Sequence, residues 1–479
     1  MNTIKKLLNY LSLLAVLLLP SVHVNADTLD LPEMGDASAT ILSAEDDKQL
    51  GQAFMRSLRQ QVDIIDDPGI NAYINALGYR LLSSANTELP FTFFVVDAPN
   101  INAFAGPGGY IGIHSGLILA AKTEGELAAV LAHEISHVTQ RHLARAFKKA
   151  SSSNMQAAAA ILAAIILGSP QVGEAAIALA LAAPIQQQLN FTRLHEKEAD
   201  RVGIEILANT GYDPRHMPAF FYSLQQSHRY MQSNLPELLR THPVTPSRIS
   251  DSTNRAEQYP KKQNYLTNKG LGLIQAKLHT LSSNKQERTR IVEAAINSGN
   301  EDPEILYEYA LWKLKQGDSL AAQTFAEKLL NDSAEQHLYI SLMAQIEIKQ
   351  GKLEKAEERL KQALALYPQH PLLTVQYVEA LLERNEAVTA TTVMRELIQY
   401  LDNFTLPSYY QLLAKAETAA GMHSKSYQTL AEYYYLIGHT RIAVDQLEMA
   451  LKETPKEDHF NQARIKARLA DFKDITLEE

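Results

Sequence analysis

Between residues 300 and 455 the chain returns to the same small-residue positions with a period of about 34 residues. Gly317 and Gly351 are one period apart, and Asn385 falls one further period on. An alanine follows each at the same offset (Ala322, Ala356, Ala390), and Leu329, Ala363 and Leu397 keep the same spacing. A turn that recurs with Gly or Asn calls for a residue tolerant of positive φ. Alanine at a fixed offset lets one helix backbone approach another, and a unit this short buries its apolar face only by stacking on its neighbours. Pro368, half a period after Gly351, stands where the second helix of its repeat would stop. Gly421 with Ser426 and Gly438 with Ala443 keep the offset but leave the phase, Gly438 lying only half a period past Gly421. The repeats therefore predict an all-α solenoid. A chain of 479 residues is also too long for one hydrophobic core, so a second domain must precede it.

The N-terminal segment, Met1 to Ala26, reads as an address. Lys5 and Lys6 precede an apolar run from Leu7 to Leu19, broken only by Asn9, Tyr10 and Ser12, and Val24, Asn25 and Ala26 supply small residues before Asp27. This is the layout of a secretory signal peptide, 1–26, cut near Ala26. A membrane span needs about 20 apolar residues, and this run is shorter. Cleavage removes two lysines and takes the net charge from −9 to −11. A surface that acidic argues against nucleic acid as a partner, since phosphate recognition needs clustered positive charge. The chain has no cysteine. That excludes disulfides, a thiolate nucleophile and a lipoprotein anchor, and leaves any metal to His and carboxylate ligands. In a Gram-negative bacterium the destination of such a chain is the periplasm.

Between these ends the spacing of apolar residues predicts helices over 43–61, 68–84 and 194–209, and strands over 91–96, 102–105 and 110–114. Thr123 with Glu126 three positions on is a capping box, predicted to open a helix that runs to about Lys149. On that helix stands His133-Glu134-Ile135-Ser136-His137. Residues four apart lie about 40° from one another around a helix, one turn along it, so His133 and His137 can hold one metal ion. Glu134 lies beside the first histidine, where its carboxylate can take a proton from an attacking water and pass it to a leaving amine. A third ligand is sought in Arg193-Leu194-His195-Glu196-Lys197-Glu198-Ala199-Asp200. Glu196 and Asp200 share one helical face. Glu196 suits the metal, and Asp200 suits the far nitrogen of a ligand histidine, whose tautomer it would fix. Glu198 points away as a solvated or ion-paired residue, and His195 is a rival ligand.

The two motifs together resemble the HtpX and CAAX-prenyl endopeptidase family of zinc metallopeptidases. Asn102-Ala103-Phe104-Ala105, Ile113-His114-Ser115-Gly116-Leu117 and Ala132 to Val138 extend the likeness, as do Thr241-His242-Pro243 and Arg248. The C-terminal period resembles the tetratricopeptide repeat. What the resemblance implies is one zinc on His133, His137 and Glu196, with Glu134 as general base. It also implies that His242 can act as a fourth ligand or approach the metal; if it binds, it closes the site against water and must leave before cleavage. Arg248 would pair with a nearby carboxylate or stabilise an oxyanion. As clients it implies unfolded or stalled outer-membrane β-barrel proteins, the lipopolysaccharide-export barrel among them, and as partner the β-barrel assembly machinery.

The expected fold class is α+β and mostly helical. A zincin-type metallopeptidase domain (27–260) is followed by a linker (261–270) and the tetratricopeptide solenoid (271–479). Within the first domain, 151–190 holds two apolar stretches around Gly168-Ser169-Pro170-Gln171, each too short to cross a bilayer. It reads as a hairpin packed on the protein, or as a flap over the zinc cleft that touches the membrane or a client. The strand from Asn102 to Ala105 is expected to offer an edge for an extended substrate. A reading of another class also stands: a chaperone or assembly scaffold with a structural zinc held by four protein ligands.

Overall fold

A computed structural model of the chain describes residues 43–147, 158–160, 162–163, 193–230, 237–266, 270–281, 285–401 and 406–478. The expected signal peptide and most of 151–190 lie outside the described residues. Helix α1 (Ala44–Gln61) is opened by Ser43, whose hydroxyl accepts from the Asp46 amide while Asp46 reaches back to the Ser43 amide. Helix α2 (Pro68–Leu82) starts on an Asp67 cap with proline in its first turn. Three short strands follow: β1 (Thr92–Val96), β2 (Ala103–Ala105) and β3 (Tyr110–His114). Their order is β1-β3-β2, with β1 parallel to β3 and β2 antiparallel to it, Ala103 opposite Ile113. β2 is therefore an edge strand.

Helix α3 (Ser115–Ala120) leads into α4 (Glu124–Thr139), the helix of the two histidines. The Thr123 hydroxyl accepts from the Glu126 amide, but the Glu126 carboxylate accepts from the Lys122 amide, so the expected reciprocal box is only half formed. The helix also stops sooner than its sequence predicts. After Thr139 the backbone turns through Arg141 at φ 50° and restarts as α5 (His142–Phe147). Further on come α6 (Arg193–Asn209), α7 (His216–Tyr230), α8 (Glu237–Thr241) and α9 (Pro246–Ala256).

The repeats run as helix pairs. α10 (Gly270–Leu281) pairs with α11 (Lys285–Asn297), α12 (Pro303–Lys315) with α13 (Ser319–Asp332), and α14 (His337–Lys349) with α15 (Leu353–Leu366). α16 (Pro371–Glu383) pairs with α17 (Ala387–Leu401), α18 (Pro407–Ala419) with α19 (His423–Leu436), and α20 (Thr440–Glu453) with α21 (His459–Glu478). Gly317, Gly351 and Asn385 all take positive φ at the turn inside a pair, and Ala322, Ala356 and Ala390 are fully buried at the contact they permit. The phase breaks where α1 docks. Gln60 donates to the Gly438 carbonyl at 2.5 Å, Arg59 to that of Leu436 at 2.8 Å, and Arg56 to the Tyr435 hydroxyl at 2.7 Å.

The packing does not divide at the polar stretch near 261–270. One buried apolar cluster runs from Ile65 of the sheet region to Leu372 of α16. α10 belongs to both halves: Gln275 donates to the carbonyls of Ile118 and Ala121 at the end of α3, and Lys277 pairs with Asp67 at 2.8 Å. Apolar side chains of the first repeats complete a core that the peptidase part does not close alone.

Candidate metal centre

Two helices must come unusually close for four ligands to meet, and glycine is what allows it. A Cβ on Gly203 of α6 would lie 3.2 Å from the His133 amide nitrogen and 2.8 Å from Met217 Cε. With hydrogen there instead, α6 lies along α4 and brings Glu196 and Asp200 to the two histidines. Gly203→Val should therefore push the helices apart. We expect a loss of about 1–3 kcal/mol of stability from overpacking, together with weakened metal binding, read by metal content after dialysis.

The structure gathers His133, His137, Glu196 and His242, all buried, with one donor atom from each within 4.8 Å of all the others. His133 Nε2 is 3.0 Å from His137 Nε2 and 3.4 Å from His242 Nδ1. Glu196 Oε1 is 2.9 Å from His242 Nδ1 and 3.5 Å from His137 Nε2, and its Oε2 is 3.5 Å from His133 Nε2. A tetrahedral cation with bonds of about 2.0–2.2 Å spaces its ligand atoms by about 3.3–3.6 Å. Ring nitrogens this close need a proton or a cation between them, so the donor set fits a small divalent ion. Glu134 lies beside the cluster, fully buried, and neither of its carboxylate oxygens has a hydrogen-bond partner among the described residues. The other nitrogen of His242 is 3.6 Å from it.

Around this cluster the outer groups are fixed. His133 Nδ1 lies 3.0 Å from Asp200 Oδ1. Arg248 donates through Nε and Nη2 to the two oxygens of Asp200, at 2.8 and 2.7 Å, and its Nη1 meets Glu196 Oε2 at 2.6 Å. The same Nη1 donates to the Pro243 carbonyl, tying down the segment that carries His242. The guanidinium is capped by the Phe221 ring of α7. Of the two uses expected for Arg248, the structure forms the carboxylate pair. Removing it leaves two buried carboxylates without their counter-charge, so Arg248→Ala should cost about 3–5 kcal/mol, visible as a lowered thermal midpoint.

The second histidine has a partner that sequence reasoning missed. His137 Nδ1 is 2.9 Å from His142 Nδ1, and His142 Nε2 is 3.1 Å from Glu198 Oε2. On an unbroken helix, residues five apart point about 140° away from one another; the turn at Arg141 brings the two rings together. Glu198, expected to be solvated or ion-paired, is also 3.7 Å from Arg145. His195, the rival ligand, stands outside the donor cluster and stacks on His142 at 4.3 Å and 14°.

With protein charges alone, burial depresses His133, but hydrogen bonds and charge from Asp200 and Glu196 outweigh it and push the imidazole up to about 10. Burial and the repulsion of His133 hold His137 well below its ordinary value. Burial raises Glu196, yet the surrounding histidines keep it well below the carboxylate range; burial also raises Asp200, and Arg248 and His133 outweigh it and lower that carboxyl. Two carboxylates thus stay ionised in a buried pocket, and a cation bound there takes the place of the proton on His133.

Comparison with known proteins finds relatives over both parts of the chain. The model of peptidase family M48 matches residues 52–256, and a tetratricopeptide-repeat model matches 347–416. The β-barrel assembly-enhancing protease of Escherichia coli K12 is 34% identical over 464 residues, covering 95% of this chain and 93% of that protein. The chain belongs to the β-barrel assembly-enhancing protease family. The Yersinia pestis member is 33% identical over 453 residues, 92% of this chain and 90% of that protein. A mitochondrial metalloendopeptidase of Arabidopsis thaliana, OMA1, is 34% identical over 149 residues, 31% of this chain and 28% of that protein. Members of the M48 family are metallopeptidases, and so is this chain. In this family member, no helix among the described residues is long and apolar enough to cross a membrane.

Proposed function

We propose that this chain is an exported zinc endopeptidase that binds unfolded or stalled outer-membrane β-barrel proteins, assists their assembly and degrades those that fail. The observation that carries the proposal is Glu134, buried beside four metal-type donors with neither oxygen hydrogen-bonded among the described residues. A site built only for structure has no use for such a carboxylate, because an unpartnered buried polar group costs free energy. One zinc, held by His133, His137 and Glu196, would supply Lewis-acid activation of a water and of the scissile carbonyl. Glu134 would take a proton from the attacking water and deliver it to the leaving amine. Asp200 orients His133, and Arg248 orients Asp200 and Glu196.

His242 is the latch. Its Nδ1 faces the donors and its Nε2 faces Glu134, so the imidazole stands in the place an attacking water would need. The chain is then latent until the segment after α8 moves. The β2 edge supports docking of an extended client, and Asn102 just before it is fully buried with both amide atoms unpartnered among the described residues. The repeats serve as the client-binding surface. The names of the relatives support barrel proteins as clients and the barrel-assembly machinery as partner; those names and the segment from Met1 to Ala26 support a periplasmic location after cleavage near Ala26. The segment 151–190 is proposed as a cover over the cleft: of its described residues, Ala159, Leu162 and Ala163 are buried with Phe54 of α1 and Phe104 of β2. Catalysis is assigned to 27–260 and client binding to 271–479.

The test is casein digestion by the purified chain beside a measurement of bound zinc. One zinc per chain is expected, with slow cleavage that phenanthroline stops and added zinc restores. Stoichiometric zinc without cleavage of any unfolded substrate, even after His242→Ala, would favour a scaffold with a structural metal.

A further inference from the structure

We propose that His142 is the positioning residue of the metal ligand His137, and that Glu198 sets the direction of the pair. The inference rests on the metal-centre reading above and concerns residues that reading does not use. Hydrogen accounting carries it. His137 turns Nε2 toward the other donors, 3.0 Å from His133 and 3.5 Å from Glu196, which leaves Nδ1 against His142 Nδ1 at 2.9 Å. Between two neutral imidazoles, one of the facing nitrogens carries a hydrogen and the other accepts it. A metal-binding Nε2 must be bare, so the hydrogen of His137 sits on Nδ1 and is donated to His142.

The hydrogen of His142 is then on Nε2, where it meets Glu198 Oε2 at 3.1 Å, and an ionised carboxylate only accepts. Reversing the pair would aim the hydrogen of His137 at the other donors and set the lone pair of His142 Nε2 against the lone pairs of Glu198. The first would block the nitrogen that a metal needs bare, and the second would repel. Glu198 therefore selects the tautomer of a ligand one residue removed from it.

The surroundings hold this geometry in place. The His142 side chain is 0% exposed, His195 stacks flat against it, and Arg145 stands 3.7 Å from Glu198. The positive φ of Arg141 is the backbone feature that brings His142 into register. The two ligand histidines are thus oriented differently: His133 by a carboxylate directly, His137 by a carboxylate through a second imidazole.

The experiment compares the intact chain with His142→Ala, His142→Gln and Glu198→Ala. Zinc affinity is measured by competition with a chromophoric chelator, cobalt-substituted spectra are recorded, and thermal midpoints are taken without metal. Loss of an outer partner costs about 10–100-fold in metal affinity. His142→Ala should weaken zinc by that factor and shift the cobalt bands. His142→Gln, whose amide accepts from His137 and donates to Glu198, should recover most of both. Glu198→Ala, altering a partly exposed residue that keeps the fold, should weaken zinc in the same direction. If the wild type binds no zinc, the metal-centre reading falls and this inference with it. Wild-type zinc binding with unchanged affinity and cobalt bands in His142→Ala or Glu198→Ala overturns this inference alone. So does a Gln variant no better than Ala.

Discussion

A chain carrying Glu134→Gln should bind zinc as the wild type does and lose about 10²–10⁴-fold of its proteolysis, the range that a positioned general base contributes. Glutamine keeps the size and shape of the side chain but cannot take up a proton. The residue is fully buried, contributes none of the four clustered donors, and both its oxygens lack hydrogen-bond partners among the described residues. The substitution should therefore leave the metal and the fold in place. The thermal midpoint is expected to hold or rise, because a buried carboxylate without a hydrogen-bond partner is a cost carried for function. Casein turnover, zinc content and a melting curve on one preparation check all three expectations. A drop in activity with a parallel drop in zinc would mean that Glu134 holds the site together rather than working in it.

His242→Ala should change activity in the other direction. The imidazole meets Glu196 at 2.9 Å and faces Glu134 at 3.6 Å; in the proposed latch it closes the position that a reacting water needs. Removing it leaves His133, His137 and Glu196, which is the ligand count of an open catalytic site. Casein cleavage should rise about tenfold or more, equivalent to a latch of about 1.4 kcal/mol or more. The same variant should bind zinc somewhat less tightly, since a ligand is lost. The measurement is initial rate at saturating zinc, so that the two effects separate.

How much of this was legible in the sequence follows from the range of each interaction. His133 with His137, and Glu196 with Asp200, are four residues apart on helices, and helical geometry alone puts each pair on one face. Repeat turns were equally legible, because Asn385 sits where positive φ is required and takes φ 63°. His142 was not legible. Its ring meets His137 only because α4 ends at Thr139, and nothing in the apolar spacing of 124–149 announces that break; the hint available was a third histidine five positions past the motif. The shared core was also hidden. Gln275 and Lys277 look like ordinary surface residues of a repeat helix, yet they bind the end of α3 and Asp67. Such contacts join segments far apart in the chain, beyond what local periodicity encodes. The irregular Gly438 spacing was visible, but its cause, the docking of Gln60 and Arg59 on that turn, needed the tertiary structure.

The most direct measurement of the central claim is zinc-edge X-ray absorption on the wild type and His242→Ala, each loaded with one zinc per chain. Scattering from imidazole rings counts histidine ligands without reference to activity. The account predicts three imidazoles and a carboxylate in the wild type, and one imidazole fewer in the variant. Two imidazoles in both proteins would contradict the latch and leave His242 a bystander at an open site.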